Sequence, residues 1–179
     1  MHISYELYPL FLYSRLYKLY FRRNGFCQWR IILKIYIDAD GCPVVRLTVE
    51  IAKKNRIGAV IVKNYAHEIV DDYAEIVTVD ISSDSADLAI ANMIRKGDIL
   101  VTQDYGLAAM AMTRGANCIN QNGLVMDSRN IDSLLDKRHV NRKMRKDKKI
   151  YTKIPKRTIS DDESFKESLL RLIESLVNN

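Results

Sequence analysis

The sequence predicts an α/β domain, a three-layer sandwich with a mainly parallel central sheet and helices on both faces. Two observations lead there. Short apolar runs rich in β-branched residues recur at Ile35–Ile37, Ala59–Val62, Ile76–Val79, Ile99–Thr102 and Asn117–Ile119, and stretches with helical spacing separate them. Alternation of this kind implies parallel strands buried on both faces. A third observation concerns function: two of the runs, at Asp38 and Asp104, lead into carboxylates, and open α/β sheets bind ligands beyond the carboxyl ends of their strands.

Residues 1–33 stand apart from this pattern. Half of the ten tyrosines fall in the first 20 residues, mixed with Arg and Lys. Leu7 to Tyr20 allows an amphipathic helix, of the membrane-surface kind or otherwise, against which Pro9 and the crowded aromatics count. No basic region precedes the apolar run and no small-residue cleavage site follows it, so it is a poor signal peptide. The stretch is expected to be an extension outside the domain, which then spans residues 34–179.

Within the domain, Pro43 to Asn55 reads as a helix, Pro43 suiting a first turn where its missing N–H is harmless. Val44, Leu47, Val49 and Ile51 are its candidate buried positions. His67 to Tyr73 is weakly helical. Ser83 to Lys96 is a helix stopped at Gly97, with Ala86, Ala89, Ile90, Met93 and Ile94 on one arc. Leu107 to Arg114 is a helix ending at Gly115, and Gly123 marks a turn after the last strand. Asn130 to Lys146 is helical, Lys148 to Arg157 is loop, and Ser160–Glu163 fits a capping box. Phe165, Leu169, Leu172, Ile173 and Leu176 then recur at the spacing of a final helix that packs one face on the domain.

Composition narrows the functional classes. The hydrophobic fraction of 47% suits one globular core, and no apolar run reaches the ~18–20 residues of a membrane span. Cys27, Cys42 and Cys118 are odd in number, widely spaced and form no CxxC, which argues against a zinc knuckle or disulfide scaffold and for a reducing, cytoplasmic compartment. The net charge of +6 is segregated: +5 over residues 1–34, −6 over 35–136, +10 over 137–157 and −3 over 158–179. An acidic body with a basic segment suits a carboxylate site beside a polyanion-binding strip, although basic runs more often form a solvated face.

Asp38 and Asp40 lie two residues apart ahead of Gly41. Extended, they would point to the same side about 6.6 Å apart along the chain, where two anions repel unless a cation or proton is near. The same residues also suit a helix cap and a solvated turn. Asp87 borders the buried arc of its helix, a costly place for an unpaired carboxylate. Asp84 lies further toward solvent, where it also suits the helix N-terminus. Asp104 follows Ile99–Thr102. Parallel strands bring Asp38, Asp40 and Asp104 to one side, with Asp87 arriving from a helix. Such an oxygen-only set suits Mg²⁺ or Mn²⁺, and two such ions can activate water and stabilise a leaving oxygen in phosphodiester cleavage.

Asp38-Ala39-Asp40-Gly41-Cys42-Pro43, Ser83-Asp84-Ser85-Ala86-Asp87, the run Gly97 to Ala109 with Thr102-Gln103-Asp104-Tyr105-Gly106-Leu107-Ala108, and Arg138-His139 resemble the YaiI/YqxD family of small bacterial proteins. The resemblance runs from about Lys34 to the C-terminus. That family is similar to PIN-like domains, which implies a PIN-like α/β sandwich with an acidic cluster for divalent metal. Two departures stand out. Residues 1–33 have no counterpart. Where relatives have a Gly-rich basic turn before Pro-Lys-Lys/Arg-Arg-Thr, this chain runs from Lys148 to Thr158 without glycine.

The function expected is metal-dependent hydrolysis of a nucleic-acid phosphodiester, RNA before DNA. Asp38, Asp87 and Asp104 would bind Mg²⁺ or Mn²⁺, with Asp40 and Asp84 supporting; Asp38, Asp40, Asp87 and Asp104 form the catalytic set. Arg138, His139, Arg142, Lys143, Arg145, Lys146, Lys156 and Arg157 would hold the nucleic-acid backbone. His67 is expected to be structural, and Cys42 to pack at a helix start. Two other functions remain open. Strand plus Asp-x-Asp-Gly also resembles the opening motif of haloacid-dehalogenase-type phosphatases, with Asp38 as nucleophile and Asp40 as acid/base. Their further acidic pair follows a strand, whereas Gly97-Asp98 precedes one. The second is a non-catalytic nucleic-acid-binding module on the same fold.

Overall fold

The computed structural model describes residues 17–21, 27–31, 33–66, 68–81, 85–148 and 156–177. The chain divides into two compact units, Met1–Leu33 and Lys34–Asn179. In the first, β1 (Tyr17–Phe21) and β2 (Cys27–Ile31) form an antiparallel pair with Tyr17 opposite Ile31 and Phe21 opposite Cys27. This corrects the expected Leu7–Tyr20 helix at its C-terminal end: the aromatic residues Tyr17 and Tyr20 pair there as strand. The rest of that segment lies outside the described residues.

The second unit contains β3 (Lys34–Asp38), α1 (Val45–Lys54), β4 (Gly58–Asn64), β5 (Glu75–Val79), α2 (Ser85–Met93), β6 (Ile99–Val101), α3 (Tyr105–Thr113), β7 (Asn117–Ile119), β8 (Val125–Met126), α4 (Ile131–Lys148) and α5 (Ile159–Val177). Its six strands run in the order β5-β4-β3-β6-β7-β8, all pairs parallel except β7 with β8. This is the expected α/β sandwich with a mainly parallel sheet.

The register shows how one sequence pattern builds two cores. Tyr36 stands beside Val60 and Leu100, and Leu100 beside Cys118. These side chains pack with Ala86, Ile90 and Ile94, with Leu107, Ala108 and Ala111 of α3, and with Ile131 of α4. The alternate residues Ile35, Ile37, Ile61, Ile99 and Val101 are fully buried and point to the other face, which α1 covers with α5 behind it. From α1, Val49, Ile51 and Ala52 are buried; from α5, Phe165, Leu169 and Ile173. Burying a side chain of that size stabilises by ~1.5–3 kcal/mol.

The connections set the site. From β3 the chain moves outward to β4 and β5; from β6 it moves the other way to β7 and β8. Right-handed crossovers in opposite directions put α1 and α3 on opposite faces. The carboxyl ends of β3 and β6 therefore flank the point where the winding reverses, which is where an open sheet leaves a crevice.

Four local expectations are corrected. Residues 68–73 form no helix: Asp71 Oδ1 accepts from Tyr73 N and Ala74 N, both at 2.8 Å, and this turn holds the chain instead. The start of α5 is capped two residues before Ser160, by Thr158 and Asp161. Asp161 Oδ2 accepts from Thr158 N at 2.8 Å and from Thr158 Oγ1 at 2.7 Å. On α1, Leu47 is only half-buried and its neighbour Thr48 is fully buried, with its hydroxyl donating to Val44 O at 2.7 Å. Finally, the turn at Gly123 opens a two-residue strand, β8, absent from the sequence reading.

Candidate active site

Asp38 is the last residue of β3. It lies two residues beyond Tyr36, so it shares the face that carries α2, α3 and α4. Thr102 stands two residues beyond Leu100, just past β6, and by the same parity faces Asp38. Its hydroxyl donates to Asp38 Oδ2 at 2.7 Å and accepts from Asp104 N at 3.0 Å. Thr102 is fully buried, so one hydroxyl ties together the ends of the two central strands. The sequence reading passed over Thr102; the available signal was a polar residue closing an apolar run.

Asp104 is the N-cap of α3. Its backbone is extended, and Oδ1 accepts from Gly106 N at 2.7 Å and Leu107 N at 3.2 Å. A Cβ on Gly106 would sit 3.0 Å from that oxygen, so glycine lets the carboxylate close over the helix start. Oδ1 also accepts from Arg138 of α4, at 2.8 Å. Burial alone would raise the Asp104 carboxyl, but the Arg138 guanidinium and the two N–H groups outweigh it and hold the group below its ordinary value.

Asp38 goes the other way. Burial pushes its carboxyl up, the negative charges of Asp40 and Asp104 push it further, and the bonds from Thr102 and from the backbone of Asp40 only partly oppose them. Asp40 does not continue the strand: the chain turns there, and Gly41 takes φ +71°. The extended spacing between Asp38 and Asp40 therefore does not arise. Asn64, at the end of β4, donates to Asp40 Oδ2 at 2.9 Å, and Gln103 Nε2 donates to Gly41 O at 2.7 Å. Asp87 lies in the first turn of α2, half-buried, and its charge helps hold Arg138 protonated. Asp84 lies outside the described residues.

The cations divide. Arg138 is spent on Asp104. His139 and Lys156 are exposed. Arg142, Lys143, Arg145 and Lys146 lie on α4. Arg157 braces the start of α5, with Nε donating to Asp162 Oδ1 and Nη2 to Asp161 O at 3.2 Å. Cys42 packs at the approach to α1, and burial pushes its thiol up to about 11, far from a thiolate nucleophile.

Asp98, the remaining acid near a central strand, is structural. It is buried at the opposite end of the sheet, where Oδ1 accepts from Lys34 N at 3.0 Å and Oδ2 from Arg95 N at 2.9 Å. Gly97-Asp98 therefore cannot serve as the second acidic pair of a dehalogenase-type phosphatase.

The donor set fits a hard divalent cation in its chemistry: oxygen only, at strand ends, around a carboxylate whose acidic neighbours call for positive charge. In this conformation the positive charge beside Asp104 is the Arg138 guanidinium. Among the described residues no three His, Cys, Asp or Glu side chains are placed to share one ion.

The family described as "Uncharacterized BCR, YaiI/YqxD family" matches residues 36–175. The chain belongs to the YaiI/YqxD family. Among its relatives, a UPF0178 protein of Alkaliphilus oremlandii is 51% identical over 142 residues, covering 79% of this chain and 92% of the relative. UPF0178 proteins of Natranaerobius thermophilus and Ruminiclostridium cellulolyticum are 44% and 42% identical, each over 79% of this chain and over 96% and 93% of their own lengths. The YaiI/YqxD match begins within β3 and takes in every acid of the site. Among solved structures, Rae1 (YacP) from Bacillus subtilis aligns with 79% of the chain and 96% of its own, at TM-score 0.39 and 12% identity. Among the described residues no helix is long and apolar enough to cross a membrane.

Proposed function

We propose that this YaiI/YqxD-family protein is a metal-dependent, PIN-like nuclease of the bacterial cytoplasm that hydrolyses RNA phosphodiester bonds. The observation that carries this reading is the pairing of Asp38 and Asp104 through Thr102 at the carboxyl ends of the two central strands. Strand ends, a buried hydroxyl and a helix cap fix these carboxylates, so little ordering remains when a substrate arrives.

In this reading Asp38, Asp87 and Asp104 would hold Mg²⁺ or Mn²⁺, with Asp40 and Asp84 in support. The side chains would have to close on the ion, since in this conformation no three of the described acids share one. The bound ion supplies a Lewis acid for the phosphate and lowers the pKa of the attacking water. Thr102 holds Asp38 in place, and Asn64 does the same for Asp40. The cations of α4 and Lys156 bind the phosphate backbone.

Thermal melts with and without Mn²⁺, with a cleavage assay on labelled single-stranded RNA, test the reading. Wild type should gain stability from Mn²⁺ by mass action and cleave; Asp104→Asn should gain less and lose cleavage. Equal shifts in the two proteins would show that Asp104 is not a ligand. No shift in either would favour a non-catalytic binding module.

A further inference from the structure

We propose that Arg138 couples cation binding to phosphate binding by leaving Asp104 when either ligand arrives. The inference rests on the nuclease reading of this site and adds its regulation.

Arg138 joins two sets of residues with different expected ligands. By sequence it belongs with the phosphate-binding cations of α4. In the structure its Nη1 stands 2.8 Å from Oδ1 of Asp104, an expected cation ligand 34 positions earlier. That oxygen already accepts from Gly106 N and Leu107 N. With three donors it has no lone pair left for a cation, and the guanidinium would repel one placed at Oδ2. A divalent cation and Arg138 therefore compete for one carboxylate.

The released side chain has somewhere to go. Arg138 is half exposed, at 52%, so its path to solvent is open. At 100° per residue, positions 138, 142 and 145 fall on one stripe of α4. A phosphate strand following that stripe would reach Arg138 at its end. Guanidinium pairs with phosphate in the same forked geometry as with carboxylate. A phosphate that draws Arg138 away bares Asp104 for the cation, and a cation that displaces Arg138 frees it for the phosphate. By linkage each ligand must then tighten the other by the same factor. Arg138 also offsets the charge of Asp104, and part of that of Asp87, until substrate is present.

Mn²⁺ affinity is to be measured by thermal-shift titration of the full chain, alone and with a nuclease-resistant phosphorothioate RNA oligonucleotide. Couplings of this kind are typically 5- to 150-fold. For wild type the oligonucleotide should tighten Mn²⁺ by about fivefold or more. Arg138→Gln should bind Mn²⁺ more tightly than wild type without oligonucleotide, by a similar factor, and the oligonucleotide should no longer change that affinity. Arg138→Lys keeps the charge without the fork and should fall between the two. Mn²⁺ affinity unchanged or weakened in Arg138→Gln, with a normal wild-type response, would overturn the coupling alone. A wild-type melt indifferent to Mn²⁺ would overturn the metal-dependent reading and the coupling with it.

Discussion

Thr102 donates its hydroxyl to Asp38 across 64 positions of sequence, at 2.7 Å, and is fully buried. Asp38 ends one central strand and Thr102 follows the other, so this bond ties the two central strands together at their carboxyl ends. Thr102→Val keeps the shape but leaves the Asp104 N–H without its hydroxyl acceptor and Asp38 without its donor. Leaving a buried polar group unsatisfied costs ~1–3 kcal/mol, and ~1 kcal/mol moves the melting point of a domain of this size by about 2–4 °C. A clear drop in melting temperature, largely restored in Thr102→Ser, is expected. A Val variant as stable as wild type would show that the bond contributes nothing.

Asp104→Asn separates charge from capping. Asn caps helices about as well as Asp, so α3 should keep its start. From the sequence alone, removing one of several clustered acids suggests relief of repulsion. The ion pair with Arg138 reverses that sign. Because the folded-state carboxyl of Asp104 lies below its ordinary value, its ionisation stabilises the fold above that value, and the benefit is lost as pH falls through the folded pKa. Asp104→Asn should therefore melt below wild type at neutral pH, with the gap narrowing in acid. Melts between pH 7 and pH 3 check this, and a gap that widens in acid would contradict it.

Asp38 should behave in the opposite sense. Its folded-state carboxyl is raised by burial and by Asp40 and Asp104. A raised carboxyl favours the fold when protonated, and that benefit disappears as pH rises through the folded value. Without divalent cation, Asp38→Asn should melt above wild type at neutral pH, because the amide still accepts from Thr102 without burying a charge. The advantage should shrink on acidification. A variant that melts lower at pH 7 would mean that the charge of Asp38 is compensated.

If α4 binds nucleic-acid phosphates, affinity for single-stranded RNA should fall steeply with salt, by ~0.7 in log–log slope per phosphate contacted. Replacing Arg142, Lys143, Arg145 and Lys146 together by Gln should flatten that slope. An unchanged slope would remove the basic strip from the binding surface.

The α/β alternation was legible because parallel strands are buried on both faces. Ile35–Ile37, Ala59–Val62 and Ile99–Val101 are then apolar throughout, whatever surrounds them. The α5 stripe was equally plain, since Phe165, Leu169 and Ile173 repeat at helical spacing and are buried there. Errors fell where one side chain outweighs propensity. Asp71 turns residues 68–73 away from helix, Thr158 starts α5 ahead of Ser160, and a two-residue strand like β8 is too short to leave a pattern.

The sequence by itself placed Asp38 and Asp104 at strand ends, because an apolar run closed by a carboxylate is a local feature. It also separated them from Asp98, which precedes the strand that Asp104 follows. It could not show what holds Asp98, which the tertiary structure makes a backbone anchor for Lys34 and Arg95 at the far end of the sheet. Nor could it pair Arg138 with Asp104 or Thr102 with Asp38, partners 34 and 64 positions apart. Such contacts depend on where the crossovers carry each helix, and no local spacing encodes that.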